Sequence, residues 1–366
     1  MKIALAYNVF DSVSGETVFF ENMLQGLEGR GFDIVRCPIH QAPPNTVLGF
    51  GDHIVRFPFL LNARSAIARL GGCDILHCMN SAIAPVASVF KGKKIATSNF
   101  FIDSYLSLCP NPNPVMAATE GLFRAYLAMM DAPAFRSMDR LVVLSAFHAN
   151  DISKSYGIPL QKMPIISPGV DTGYFRSLPK TDLRSEYGFE RVVACMGRLH
   201  ERFKGFSYAI RAMKDLDKET GLLIVGDGPD RKAYEALVRS EHLEDRVKLL
   251  GRLDFRTKSM IQKSADAVAM PSLYEAFGTV FAESLACGTP VAAFDLPFWK
   301  GLYDGAGVFA KPRDAGSLSH AIKKALEGGD EVRKAKERGT ALAGRYDMEN
   351  TISSYIRLYE SLLEGG

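Results

Sequence analysis

The sequence predicts a doubly wound α/β chain built as two such domains. Three observations carry this. Short β-branched or apolar runs alternate with longer stretches of helical period almost from end to end. That alternation belongs to parallel strands whose crossover helices cover both faces of a sheet. The length, 366 residues, suits two domains at roughly 150 residues each. Midway, SPGVDTGYFRSLPKTDL breaks the pattern with Pro168, Gly169, Gly173 and Pro179.

The first set of strands is expected at 2–8, 33–39, 74–79, 94–99, 140–145 and 163–168. Between the first two, Phe19, Phe20, Met23, Leu24 and Leu27 recur at three- and four-residue steps, which makes one apolar helix face. A long apolar helix over 115–135 reads as a core or cleft helix, with contact to a membrane surface as the alternative. The second set is expected at 191–197, 221–228, 246–251, 267–272, 290–294 and 307–312, with a linker around 167–182 between the sets. The tail is helical by pattern, with Ile352, Tyr355, Ile356, Tyr359 and Leu362 on one side. The domains are therefore 1–170, 171–346 and a terminal helix over 347–366.

Lysine and arginine number 44 against 41 acidic residues, a net charge of +3. A dedicated nucleic-acid binder would carry a strong basic excess, so nucleic acid is not an expected partner. No run of ~20 apolar residues predicts a membrane span. The amino-terminal segment lacks a signal-peptide cleavage pattern and reads as a strand. The six cysteines have no C-x-x-C spacing and predict reduced, buried thiols in a cytoplasmic protein.

Ligands of doubly wound sheets bind outside the carboxyl ends of the strands, so the loops after strands matter most. In PSLYEAFGTVFAESLACGTPVAA (271–293), a buried strand leads through a loop into a short helix that starts near Phe277, Gly278 and Thr279. The amino end of that helix is an anion site. Glu275 precedes it and Glu283 lies a turn inside. Eight helical residues would separate their backbones by about 12 Å. That distance fits two carboxylates gripping hydroxyls at different ends of one ligand better than a hydrolytic pair. A dipole-stabilised glutamate and a solvated one are the plain alternative. In ACMGRLHERFKGFSYAIRAM (194–213), Arg198 and Lys204 follow a strand in a loop and can clamp a diphosphate, Arg as a fork and Lys as a point charge. In NVFDSVSGETVFFEN (8–22), Gly15 would let backbone approach a ligand and Ser14 could cap the helix. There is no P-loop or dinucleotide fingerprint; VGDGPDRKAYEAL (225–237) is a strand-to-helix turn.

Together these segments resemble the family-4 retaining glycosyltransferases, whose GT-B fold sets two Rossmann-like domains face to face. The resemblance runs over nearly the whole chain. It rests on E-A-F-G-T-V-F-A-E-S-L-A-C-G-T-P (275–290), similar to an E-x7-E signature, and on G-R-L-x5-K-G, similar to an Arg/Lys phosphate clamp. V-G-D-G-P and S-G-E add support. The resemblance implies that Arg198 and Lys204 hold the donor diphosphate. It implies that Glu283 takes the ribose, that Glu275 takes the transferred sugar, and that the backbone of Phe277, Gly278 and Thr279 touches sugar and phosphate. Gly15 would line the diphosphate, and the turn at Leu253 would receive the base. The last helix would cross back to the first domain. The implied reaction is transfer from a UDP- or GDP-sugar to an acceptor hydroxyl with retention, without a metal or other cofactor. A sugar phosphorylase, a nucleotide-sugar epimerase and a non-catalytic sugar-nucleotide-binding protein are the competing readings. Many members of the family carry a histidine in a T-x-H-like stretch; here KIATSNF puts Ser98 or Asn99 there, and His77 is the nearby alternative. The acceptor would lie against loops 41–65 and 100–120, with peripheral membrane contact as an option.

Overall fold

A computed structural model describes residues 1–9, 15–40, 56–99 and 101–364. The chain divides into two compact units, Met1–Gly169 with Met348–Gly366, and Val170–Asp347.

The first unit is built on β1 (Lys2–Val9), β2 (Asp33–His40), β3 (Ile75–Cys78), β4 (Lys93–Ser98) and β5 (Arg140–Val143). They pair in the order β2-β1-β3-β4-β5, every pair parallel. The crossovers are α1 (Gly15–Glu28), α2 (Arg56–Ala68), α3 (Ile102–Leu108), α4 (Pro114–Ser137) and α5 (Ala146–Tyr156), with a tight 3-10 segment over Ser81–Val89. The period of two along β1 sorts its side chains to the two faces. Ile3 and Leu5 pack with Met23, Leu24 and Leu27 of α1 and with Ile352, Tyr355 and Tyr359 of the C-terminal helix Met348–Glu364. Ala4 and Ala6 pack on the other face with Ala63 and Ile67 of α2, Phe135 of α4 and Ile152 of α5. The C-terminal helix lies so close to α1 that a Cβ on Gly26 would sit 2.2 Å from Cδ1 of Ile352.

The expected sixth strand over 163–168 is a single bridge, Val143 with Ile165. Pro164 and Pro168 bracket it, and neither can donate to a ladder. Ser14 and residues 41–55 of the expected acceptor loop lie outside the described residues. The rest of that loop is α2. The expected linker is folded: α6 (Thr172–Ser177) is capped by Asp171, which accepts from the Tyr174 N–H at 2.8 Å, and it buries Phe175.

The second unit holds α7 (Leu183–Tyr187), β6 (Arg191–Met196), α8 (Glu201–Lys204), α9 (Phe206–Ala212), β7 (Thr220–Val225) and α10 (Arg231–Ser240). There follow β8 (Val247–Gly251), α11 (Phe255–Ser264), β9 (Ala267–Met270), α12 (Thr279–Cys287), β10 (Val291–Phe294) and β11 (Val308–Ala310). Helices α13 (Ala315–Glu327) and α14 (Asp330–Arg345) complete it. The sheet order is β11-β10-β9-β6-β7-β8. Counted within the unit this is 3-2-1-4-5-6 when read from the other edge's numbering, the dinucleotide-fold pattern, whose strand order reverses between β6 and β9. None of the six cysteines is in a disulfide, and all but Cys73 are buried.

Candidate functional site

The two most informative sequence segments leave neighbouring strands at that reversal. β6 pairs with β9 through Val193 with Ala267 and Ala194 with Val268. Residues 197–204 and 271–278 therefore start side by side, at the carboxyl edge where such sheets bind ligands. They are also joined to each other. The Leu273 N–H donates to the Phe203 carbonyl at 2.7 Å. Lys204 Nζ forms an ion pair with Glu275 Oε1, and Ser272 Oγ donates to that same oxygen at 2.9 Å.

Lys204 is not in an open loop, as its sequence suggests. It ends α8, whose last residue is followed by Gly205 in the left-handed conformation. Its chain folds back over the strand end, since a Cβ on Gly197 would lie 3.2 Å from Lys204 Cε. Arg198, the residue after Gly197, is exposed at the same edge. The V-G-D-G-P turn braces this loop from behind. The Leu199 N–H donates to the Asp227 carbonyl at 3.0 Å, the Asp230 N–H to the Leu199 carbonyl at 3.1 Å, and the Glu201 N–H to Asp230 Oδ2 at 2.7 Å.

α12 starts where expected. Gly278 caps it with φ of 79°, a conformation that favours glycine. A Cβ there would also sit 2.6 Å from the Trp299 ring. Phe277 is buried against Tyr303 and Tyr346, with ring centroids 5.8 and 5.1 Å away. Its side chain is core. Thr279 and Val280 are partly exposed. The first N–H groups of a helix have no intrahelical acceptor, so this end carries partial positive charge.

Glu283, on the second turn of α12, is 3% exposed. Lys258 of α11 reaches it, Nζ to Oε2 at 2.5 Å. Sequence alone singles out neither Lys258 nor Ser272. A first-turn lysine after the Asp254 cap, whose side chain accepts from the Thr257 N–H at 3.0 Å, is the one local signal for Lys258. Leu253 is half-buried in the turn after β8, at the same strand edge.

Gly15, in the other unit, is the first residue of α1 after β1. In that unit the histidine alternative is corrected. His77 has no exposed surface; Nδ1 is 2.8 Å from the Tyr359 hydroxyl and Nε2 is 2.7 Å from Thr97 Oγ1. Burial pulls its pKa down to about 3. Both nitrogens are spent on the core and the C-terminal helix, so it cannot meet a sugar. Ser98 is fully buried too, 3.3 Å from His148 Nε2. Asn99 is half-buried, and its Nδ2 donates to the Met79 carbonyl at 3.0 Å. Of the three, Asn99 alone offers surface. Among the described residues no group of three His, Cys, Asp or Glu side chains could hold a metal ion.

Among known proteins, the chain is similar to glycosyltransferases. Residues 13–174 match Glycosyltransferase Family 4, and residues 180–341 match Glycosyl transferases group 1. D-inositol 3-phosphate glycosyltransferase of Segniliparus rotundus is 29% identical over 247 residues, 62% of this chain and 53% of that protein. The chain spans about half the length of the curated relatives it matches. Sucrose-phosphate synthase from Thermosynechococcus elongatus superposes with a TM-score of 0.81 at 20% identity, covering all of both chains. Anabaena HepE in complex with UDP and glucose gives 0.76 at 16%, covering 99% of this chain and all of that one. Two Rossmann-like sheets, two family matches that follow one another along the sequence, and neighbours of this architecture over the full length make the chain a member of the family-4, group-1 glycosyltransferases with the GT-B fold.

Proposed function

We propose that the protein transfers a glycosyl group from a UDP- or GDP-sugar to an acceptor hydroxyl, with retention of configuration and without a metal. The observation that carries this is the joining of Lys204 to Glu275 at the strand-order reversal, beside the amino end of α12. On this reading the bond from the anomeric carbon to the diphosphate oxygen breaks, and one to the acceptor oxygen forms. The acceptor proton passes to the departing phosphate oxygen. Asn99, half-buried after that strand, does not titrate, and His77 is buried. The phosphate is therefore the base generated where it is needed. Arg198, Lys204 and the α12 N–H groups would stabilise the charge that develops on the leaving diphosphate, which is where such a site does most to lower the barrier. Glu275 would hold the transferred sugar and Glu283 the ribose. Leu253 would border the base, and Gly15 remains the candidate diphosphate contact of α1. Asn99 would reach a sugar or acceptor hydroxyl.

HepE, whose solved complex holds UDP and glucose, supports a nucleotide-sugar donor. The Segniliparus relative makes D-inositol 3-phosphate the first acceptor to test. Membrane contact, if the acceptor needs it, would use the outward face of α4. Thermal shifts with UDP, GDP and their sugars identify the donor. Arg198→Ala and Lys204→Ala should each lower turnover on the order of 10²-fold. Near-normal rates in both variants would overturn the assignment.

A further inference from the structure

We infer that Ser272 is a positioning residue for Glu275: it holds the carboxylate in place when Lys204 turns from Glu275 to the donor phosphate. The inference rests on the transferase reading for the roles of Lys204 and Glu275. Its own ground is that two donors of unlike mobility share one oxygen.

Lys204 carries a flexible four-carbon stem and sits at a helix end, 20% exposed in its side chain. Ser272 is 2% exposed and has one rotatable bond before its hydroxyl. Its backbone is clamped on both sides. The carbonyl of Pro271 lies against Gly205, where a Cβ would be 2.5 Å away, and the Leu273 N–H donates to the Phe203 carbonyl at 2.7 Å. A lysine cannot give its full charge to a carboxylate and to a diphosphate at once. As it moves to the phosphate, Glu275 loses its ion pair while the sugar arrives. The Ser272 hydroxyl, 2.9 Å from Oε1, then fixes the side chain and leaves Oε2 for a sugar hydroxyl. The residue thus acts on the sugar half of the donor and not on the nucleotide half.

The test compares wild type, Ser272→Ala, Ser272→Thr and Glu275→Gln. Quenching of Trp299, the single tryptophan, gives dissociation constants for UDP, GDP and their sugars; turnover is measured alongside. Ser272→Ala is expected to weaken nucleotide-sugar binding by about tenfold, the effect of one hydrogen bond. Free nucleotide binding should stay within twofold. Glu275→Gln should show the same split, and Ser272→Thr should restore wild-type values. Equal loss for nucleotide and nucleotide-sugar in Ser272→Ala, or no loss, would overturn the inference. Intact binding with that split, but no transfer to any acceptor, would leave Ser272's role standing and remove the transferase reading.

Discussion

Glu283 is a carboxylate with 3% exposure, and Lys258 is the cation that touches it at 2.5 Å. Taking a charge out of water costs several kcal/mol, which a close partner offsets only while it is present. Lys258→Met would keep the stem volume and strand the carboxylate. It should cost about 3–5 kcal/mol of stability in urea unfolding of the second unit. Glu283→Gln added to Lys258→Met should recover most of that loss, because the buried charge goes with it. A Lys258→Met protein as stable as wild type would show that the ion pair does not hold Glu283 in the core. This pair also shows what a single chain does not disclose. Glu275, Glu283, Arg198 and Lys204 stand out because loops after strands and a helix start are readable from apolar runs and glycines. Which cation faces which carboxylate depends on how α11 packs beside α12, 25 residues away in sequence. Ser272 is hidden for the same reason: a serine after a strand is ordinary until its hydroxyl is seen on Glu275.

At the scale of elements, α4 turns its apolar side outward. Val115, Leu122, Tyr126 and Met129 are 73, 75, 38 and 67% exposed. At ~100° per residue they fall within about 60° of one another around the helix. Arg124 lies on the opposite side, bound to Asp103 at 2.6 Å, and Asp131 is buried. Among the described residues no helix is long and apolar enough to cross a membrane, so any lipid contact of α4 would be lateral. The four outward residues are uncharged, so binding would come mainly from apolar burial. Wild type should sediment with phosphatidylcholine vesicles, and Leu122→Glu with Met129→Glu should release it. Equal sedimentation of both proteins would remove the lipid reading. The helix itself is legible from its apolar run, but which side faces the protein is not, since apolar residues occur all round it. The error over 163–168 is of the opposite kind: Ile165 and Ile166 suggest a strand, and the flanking prolines limit it to one bridge.

At the scale of the molecule, alternation of strands and helices discloses two doubly wound units, whereas strand order is set by long-range pairing that no local pattern records. The order matters because it brings β6 beside β9, and with them the two motif loops. The first unit should lose stability in acid. The first buries His77 and His148, with burial lowering their pKa values to about 3 and about 4. An unfolded histidine titrates near 6.5. Above that pH the folded and unfolded chains bind the same protons at these sites. As pH falls below it, the unfolded chain takes up protons that the folded unit refuses, so stability drops with pH. Each site contributes up to ~1.4 kcal/mol per pH unit, and the loss ends near the folded values. Hydrogen exchange of β3 and β4, corrected for the intrinsic rate, should therefore speed up from pH 6.5 towards 4. His148→Asn should flatten that slope, because the buried titrating group is gone. A slope equal to wild type in this variant would show that His148 takes up its proton in the folded unit. Trp299 fluorescence follows the second unit in the same samples and separates loss of the first unit from global unfolding.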